Sequence, residues 1–299
     1  MPITAEQRAA RVKCIGSSDM ASILGVNPWR SAYDLWLDKK GLVEREPDDE
    51  SRRLGTALEN AALDEAELRL GSLDRNVFAE LPEIHLGANV DAILRASGEP
   101  VEAKTSGIAG PLYGQWGEEG TDQVPDMYVI QAHVHMMCTK KEVCHLLALL
   151  GGLGARLYRI NLQADIRTII EQAAVGFWKS VDSDTPPEDS KPSLEVLKRV
   201  RRTTDRIAHV DPMLVAEYQG ACAAVKEAET KKDQAQAALL AADPAAEAFD
   251  FGDAKKWYSF FSQQRTNVDS KALQADHPDI WAQYAKTSTF RMLRLTNKP

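Results

Sequence analysis

Apolar positions change their period several times along this chain, and each change marks an element. From residue 15 to residue 41 they recur at helical spacing on either side of Asn27-Pro28, which predicts a helix, a turn and a second helix carrying Tyr33, Leu35, Trp36 and Leu37. Residues 51–70 read as an amphipathic helix closed by Gly71, the residue that adopts a left-handed cap most readily. The period shortens near Asn76. Residues 88–94 and 101–105 alternate in polarity and are joined by a turn with Ser97, Gly98 and Pro100, so they predict two antiparallel strands. Helical spacing returns over 124–138, strands follow at about 143–150 and 156–162, and a helix covers 164–181. Thr185-Pro186-Pro187 then closes a first unit, placed at residues 1–190.

The pattern of residues 191–299 is different and predicts a C-terminal extension. A basic segment leads into a long helix at about 212–242, rich in Ala, Glu, Lys and Gln, and Asp243-Pro244 breaks it. Beyond it come Trp257, Tyr258, Phe260 and Phe261, a polar strand, a short helix around Trp281 and a last strand through Arg291. No internal repeat is present. The Ala-rich helix has a weak apolar seam, suited either to bracing its own unit or to binding a partner.

Composition narrows the function classes. The hydrophobic fraction of 44% suits a globular chain, and no apolar run approaches the ~18 residues of a membrane span. Residues 1–11 lack the apolar block of a signal peptide, so the expected location is the cytoplasm, that of the bacterial host if the gene is a phage's. Cys14, Cys138, Cys144 and Cys222 form no CxxC pair and read as reduced thiols. A net charge of -8 excludes a protein that coats nucleic acid by bulk attraction, so any DNA contact is local.

The words that carry chemistry are Asn89-Val90-Asp91 and Val101-Glu102-Ala103-Lys104. Strand alternation puts Glu102 and Lys104 on one face, and an antiparallel neighbour lays Asp91 beside them. Two adjacent carboxylates repel, and keeping both ionised favours a hard cation such as Mg2+ on oxygen ligands. Lys104 can then orient an attacking water and offset phosphate charge. The competing reading is a half-solvated sheet with Glu102 and Lys104 in an ordinary surface ladder. Glu59 favours the site, because it shares a helix face with Gly55, Ala62, Leu63, Ala66 and Leu70, where an unpaired carboxylate is costly. Gln131 is a polar amide on a mostly apolar face with Met127, Val134 and His135, and a satisfied core amide is its alternative reading.

The spacing D-x10-E-x-K matches the PD-(D/E)xK nuclease pattern. Taken together, Ile15-Gly16-Ser17-Ser18-Asp19, Leu24-Gly25 with Pro28-Trp29, Leu54-Gly55 with Leu58-Glu59, Asp91, Glu102-Ala103-Lys104 and Gln131 stand in the order found in the YqaJ-type viral recombinases, relatives of lambda exonuclease. The chain resembles that family over residues 9–180. The resemblance implies an α/β (α+β) fold with a restriction-endonuclease-like core, a mixed central sheet flanked by helices. It also implies a metal-dependent exonuclease that degrades one strand of duplex DNA from its 5' end. Asp91, Glu102 and the Ala103 carbonyl would hold Mg2+, for which Mn2+ can substitute, and Glu59 would serve a second ion. Lys104 would assist the nucleophile, Gln131 would position Lys104 or the water, and Ser18 with Arg11 would take the terminal 5' phosphate. Ser18 has an alternative reading as a helix N-cap. Asn89 departs from the family's serine-containing stretch, and no arginine follows shortly after Lys104. The implied partners are duplex DNA ends, a phage single-strand annealing protein and a homo-oligomer, a trimer by analogy, with no membrane.

Other residues invite stronger readings than they carry. His133 and His135 stand two apart on a helix and cannot face one ion, so His135 is expected near the site but nonessential. Lys198, Arg199, Arg201 and Arg202 could track a DNA backbone or simply form a solvated helix face. Trp29 beside Arg30 could stack on a separated strand, or Trp29 could be a core residue. Two further functions stay open at this stage, a related PD-(D/E)xK endonuclease and a noncatalytic DNA-binding or scaffolding protein on a degenerate nuclease fold.

Overall fold

The computed structural model describes residues 13–44, 50–188, 190–201, 203, 206–253, 255–287, 293 and 295, without the side chains of residues 51 and 52. Two units emerge, Met1–Arg202 and Thr203–Pro299. The first contains β1 (Ile15–Gly16), α1 (Ser17–Ile23), α2 (Ala32–Lys39), α3 (Glu50–Leu70), β2 (Leu73–Leu81), β3 (Leu86–Leu94) and β4 (Pro100–Ser106). It continues with α4 (Asp126–Thr139), β5 (Val143–Leu150), β6 (Gly154–Asn161), α5 (Ala164–Asp182) and α6 (Leu194–Arg199).

Helix ends follow local chemistry. Ser31 and Asp34 cap α2 reciprocally, each side chain accepting from the other's backbone N–H at 3.1 Å. Gly71, at φ +105°, ends α3. The N-cap of α1 is Gly16, whose N–H donates to Asp19 Oδ2 at 3.0 Å, so Ser18 is not the cap and stands exposed in the first turn.

The sheet is mixed, in the order β1-β3-β4-β5-β6 with β2 also on β3. One edge of β3 pairs antiparallel with β2 from Leu73↔Leu94 to Leu81↔Leu86. The other edge is shared. Parallel β1 takes Leu86 and Gly87, and antiparallel β4 takes only Ala92 and Ile93. Next, β4 and β5 run parallel from Val101↔His145 to Ser106↔Leu150, with α4 in the crossover, and β6 closes antiparallel. Buried on nearly every residue, β5 reads as a continuous apolar run, as a strand covered on both faces should.

Three cores hold this sheet. Ala88 and Val90 pack with Met20, Leu35, Val134 and Phe177 under α1, α2, α4 and α5. Ala92, Leu94, Val101 and Ala103 pack with Ala62, Leu63 and Ala66 of α3. Cys144, Leu146 and Ala148 pack with Ala132 and Met136 of α4. Thus β3 passes from one core to another at Asp91, opposite Asn76, whose φ is +59° and which drops out of the β2 ladder.

The first unit extends past residue 190. Val196 is in the first core, Val43 bridges Val200, and Arg201 N–H donates to Leu42 O at 2.8 Å. Contacts to residues some 155 positions earlier bind this segment, and no local break signals them. The second unit holds α7 (Pro212–Leu240), β7 (Ala248–Phe249), β8 (Tyr258–Ser259), α8 (Ser270–Asp276) and α9 (Pro278–Tyr284). Asp211 caps α7 through Met213 N–H, and α7 stops at Leu240, two residues before the expected end. The expected strand through Arg291 lies outside the described residues. Among the described residues no helix is long and apolar enough to cross a membrane.

Candidate active site

The site is built where β3 and β4 part. Their ladder runs for two pairs, Ile93↔Pro100 and Ala92↔Val101. Continued regularly it would set Asp91 opposite Glu102, but the strands separate there. The backbone N–H of Ala103, which a longer ladder would have used, instead donates to Asp91 Oδ2 at 2.9 Å. A side-chain carboxylate thus completes the fork.

Glu102 and Lys104 share the β4 face under α4, while Val101 and Ala103 face α3. Glu102 is 2% exposed, which rules out a surface ladder. Its Oε1 accepts from Gln131 Nε2 at 2.7 Å and from Lys104 Nζ. Gln131 is therefore a satisfied buried amide, and its partner is a site carboxylate. Lys104 Nζ also lies 5.1 Å from the centre of the Tyr128 ring, a cation–π distance. His135 is fully buried, with Nδ1 3.3 Å from Glu102 Oε2. That approach lacks hydrogen-bond alignment, and among the described residues no N–H or hydroxyl donor reaches Oε2 and neither ring nitrogen is partnered.

The electrostatics are those of a site short of positive charge. Burial, reinforced by the neighbouring Glu102, pushes the Asp91 carboxyl up to about 7. Burial also raises Glu102, against the pull of Lys104. While Asp91 keeps its proton it can hydrogen-bond the Glu102 carboxylate. Glu59 on α3 is raised by partial burial and then by the charge on Asp91, which places it within electrostatic reach of the pair. Burial alone would lower Lys104, but Glu102 and Asp91 outweigh it and hold the lysine above its ordinary range.

Could these residues hold a divalent cation? No three His, Cys, Asp or Glu side chains form a ready-made cage among the described residues. A magnesium ion does not need one, because it keeps several waters and takes one or two carboxylates. Asp91 and Glu102 supply those, the Glu102 oxygen without a donor is an open acceptor, and a cation would replace the proton that burial forces onto Asp91. The donor set fits the ion.

The remaining candidates divide. Ser18 is exposed on α1, which packs against α4. Arg11 and Arg202 lie outside the described residues. Arg30 is engaged by Asp38 at 2.6 Å and Asp19 at 3.4 Å, so its charge is already matched. Trp29 is 58% exposed, not a core residue. Lys198 pairs with Glu195, Arg199 donates to Glu44 O, and Arg201 is exposed. Tyr128 went unread in the sequence, although Tyr128, Gln131 and His135 fall at i, i+3 and i+7 on one helix face. Also unread was the buried pair of Lys39 with Asp19 at 2.7 Å, which anchors α2 to the start of α1.

Residues 7–142 match the YqaJ-like viral recombinase domain. Over 293 residues, 94% of this chain and 90% of the relative, the sequence is 27% identical to the uncharacterized protein YqaJ of Bacillus subtilis (strain 168). Among solved structures, an alkaline exonuclease (LHK-Exo) from Laribacter hongkongensis aligns with a TM-score of 0.48 and 18% identity, covering 60% of this chain and 94% of that one. A phage related exonuclease from Haemophilus somnus 129PT aligns with a TM-score of 0.42 and 13% identity, covering 57% of this chain and 96% of that one.

Proposed function

We propose, for a chain whose residues 7–142 carry a YqaJ-like viral recombinase domain, that it is a metal-dependent deoxyribonuclease resecting linear duplex DNA from its ends, 5' to 3'. The observation that carries this reading is the Asp91–Glu102 pair at a strand fork, with Glu102 buried and Lys104 hydrogen-bonded to it.

Asp91, Glu102 and the Ala103 carbonyl would hold one Mg2+ or Mn2+, and Glu59 would reach a second ion directly or through water. Bound there, the ions would supply a nucleophilic hydroxide at neutral pH and charge stabilisation for the phosphorane and the departing oxygen. In the metal-free site Glu102 and Asp91 hold Lys104 above its ordinary range, as an ammonium. Its role is to donate hydrogen bonds, orienting the attacking water and offsetting phosphate charge. Gln131 fixes the carboxylate that Lys104 is bonded to, and so positions both. Ser18 and Arg11 would receive the terminal 5' phosphate, the hydroxyl giving one hydrogen bond and the guanidinium two.

The product is a 3' single-stranded tail, the substrate class of a strand-annealing protein, and a ring of three copies around the duplex is the assembly that would suit continuous resection. The test is digestion of linear 5'-phosphorylated duplex and of covalently closed circles with Mg2+, by wild type and Lys104→Ala. Wild type is expected to shorten only the linear substrate, releasing label from the 5' end first, while K104A loses at least ~100-fold in rate. Cutting of closed circles would make it an endonuclease. Equal or absent activity in both proteins would leave a noncatalytic DNA-binding chain.

A further inference from the structure

Among the described residues, His135 is a fully buried titratable side chain beside the carboxylates for which the mechanism above has no use. Its ring is fully buried on α4, four residues after Gln131, yet neither nitrogen has a hydrogen-bond partner among the described residues. Its Nδ1 approaches Glu102 Oε2 at 3.3 Å, and among the described residues no N–H or hydroxyl donates to that oxygen. Two unmatched polar atoms facing each other in a core are costly unless they form a bond in the working state.

The tautomer follows from that geometry. With the proton on Nε2, two lone pairs would face each other across 3.3 Å. With the proton on Nδ1, the ring donates to the carboxylate, and a small rotation of either group completes the bond. Glu102 Oε1 is already occupied by Lys104 and Gln131, so the rotation of the whole carboxylate rests on what holds Oε2.

We propose that His135 is a positioning residue for the metal site: its imidazole donates from Nδ1 to Glu102 Oε2 and fixes the plane of the carboxylate that would hold the cation. The inference rests on the metal-dependent reading given above and adds a residue to it. His135 touches neither substrate nor cation and acts through Glu102, as outer partners of metal ligands do.

The experiment compares the full chain with His135→Leu and His135→Asn, since the asparagine amide overlays Nδ1 and keeps a donor while leucine removes it. Calorimetry with Mn2+ reads affinity directly, and steady-state digestion of linear duplex separates kcat from KM. H135L is expected to bind Mn2+ about 10- to 100-fold more weakly, with kcat reduced and KM for DNA unchanged, and H135N is expected to recover most of both. A packing role predicts the opposite ordering, with leucine tolerated and asparagine not, and that result overturns the proposal. The wild-type chain provides a reading that no folding defect can spoil. In a 15N-histidine spectrum His135 should be the Nδ1–H tautomer and should shift on adding Mg2+, and an Nε2–H tautomer would refute the assignment. Wild type that binds no Mn2+ overturns the metal reading itself, whereas wild type that binds and cleaves beside an indistinguishable H135L overturns only the role of His135.

Discussion

Asp91→Asn should make the metal-free protein more stable while removing its activity, and the size of the gain follows from the site. The Asp91 carboxyl moves from an ordinary value of 3.8 to about 7 because burial and Glu102 disfavour its charge. For an acid raised in the folded state, the favourable contribution is full below the unfolded value and is lost as pH climbs toward the folded one. Above pH 7 the folded protein therefore carries a penalty near the full gap, about 4 kcal/mol at roughly 1.4 kcal/mol per tenfold change in proton affinity. Asparagine keeps an oxygen for the Ala103 N–H and carries no charge, so the penalty disappears. Urea unfolding in EDTA should show D91N more stable than wild type by about 2–4 kcal/mol at pH 8, falling toward zero near pH 4. Mg2+ at ~100 times its dissociation constant should then restore about 2.7 kcal/mol to wild type and little to D91N. A D91N protein no more stable than wild type at pH 8, or a gain equal at pH 4 and pH 8, would refute the claim that the fork stores unfavourable charge for a cation to relieve.

Ser18→Ala should reduce the preference for 5'-phosphorylated over 5'-hydroxyl duplex ends by about tenfold, the worth of one charge-assisted hydrogen bond, without changing Mn2+ affinity. Competition between the two substrates measures it, and an unchanged preference would remove Ser18 from end recognition. His133 offers a test of stability alone. Its Nδ1 is 2.8 Å from Val129 O and its Nε2 accepts from Gln163 N–H at 3.1 Å, so a neutral ring caps the start of α5. Burial lowers its proton affinity, and this contribution is lost as pH falls below the ordinary 6.5. His133→Phe should cost about 1–2 kcal/mol at pH 7.5 in urea unfolding, with the difference from wild type shrinking by pH 5. A difference constant with pH would contradict the neutral cap.

Much of the first unit was legible because its signals are local. Alternation over β3 and β4 sorted Glu102 and Lys104 from Val101 and Ala103, and the apolar face of α3 around Glu59 survives as Ala62, Leu63 and Ala66 in the core. The expected strands and helices from residue 88 to residue 181 correspond to elements whose ends differ by a few residues at most. The unit boundary was not legible, because Val196 is held in the first core and Val200 bridges Val43, contacts that lie far away in the sequence.

The sequence by itself determined which residue types share a strand or helix face, since that depends only on the periods of the two backbones, and it brought Asp91, Glu102, Lys104, Glu59 and Gln131 together as candidates. Tertiary structure decided how they meet. Ala103 can satisfy its N–H with Asp91 only because β3 and β4 separate after two pairs, which alternation within either strand does not reveal. Likewise α4 lays Gln131 and His135 over Glu102 only because β5 runs parallel to β4, which carries the crossover helix across that face. Alternation can say that a carboxylate points inward; whether it meets a lysine, an amide and an imidazole there depends on long-range packing, and so does the burial that makes the charge costly.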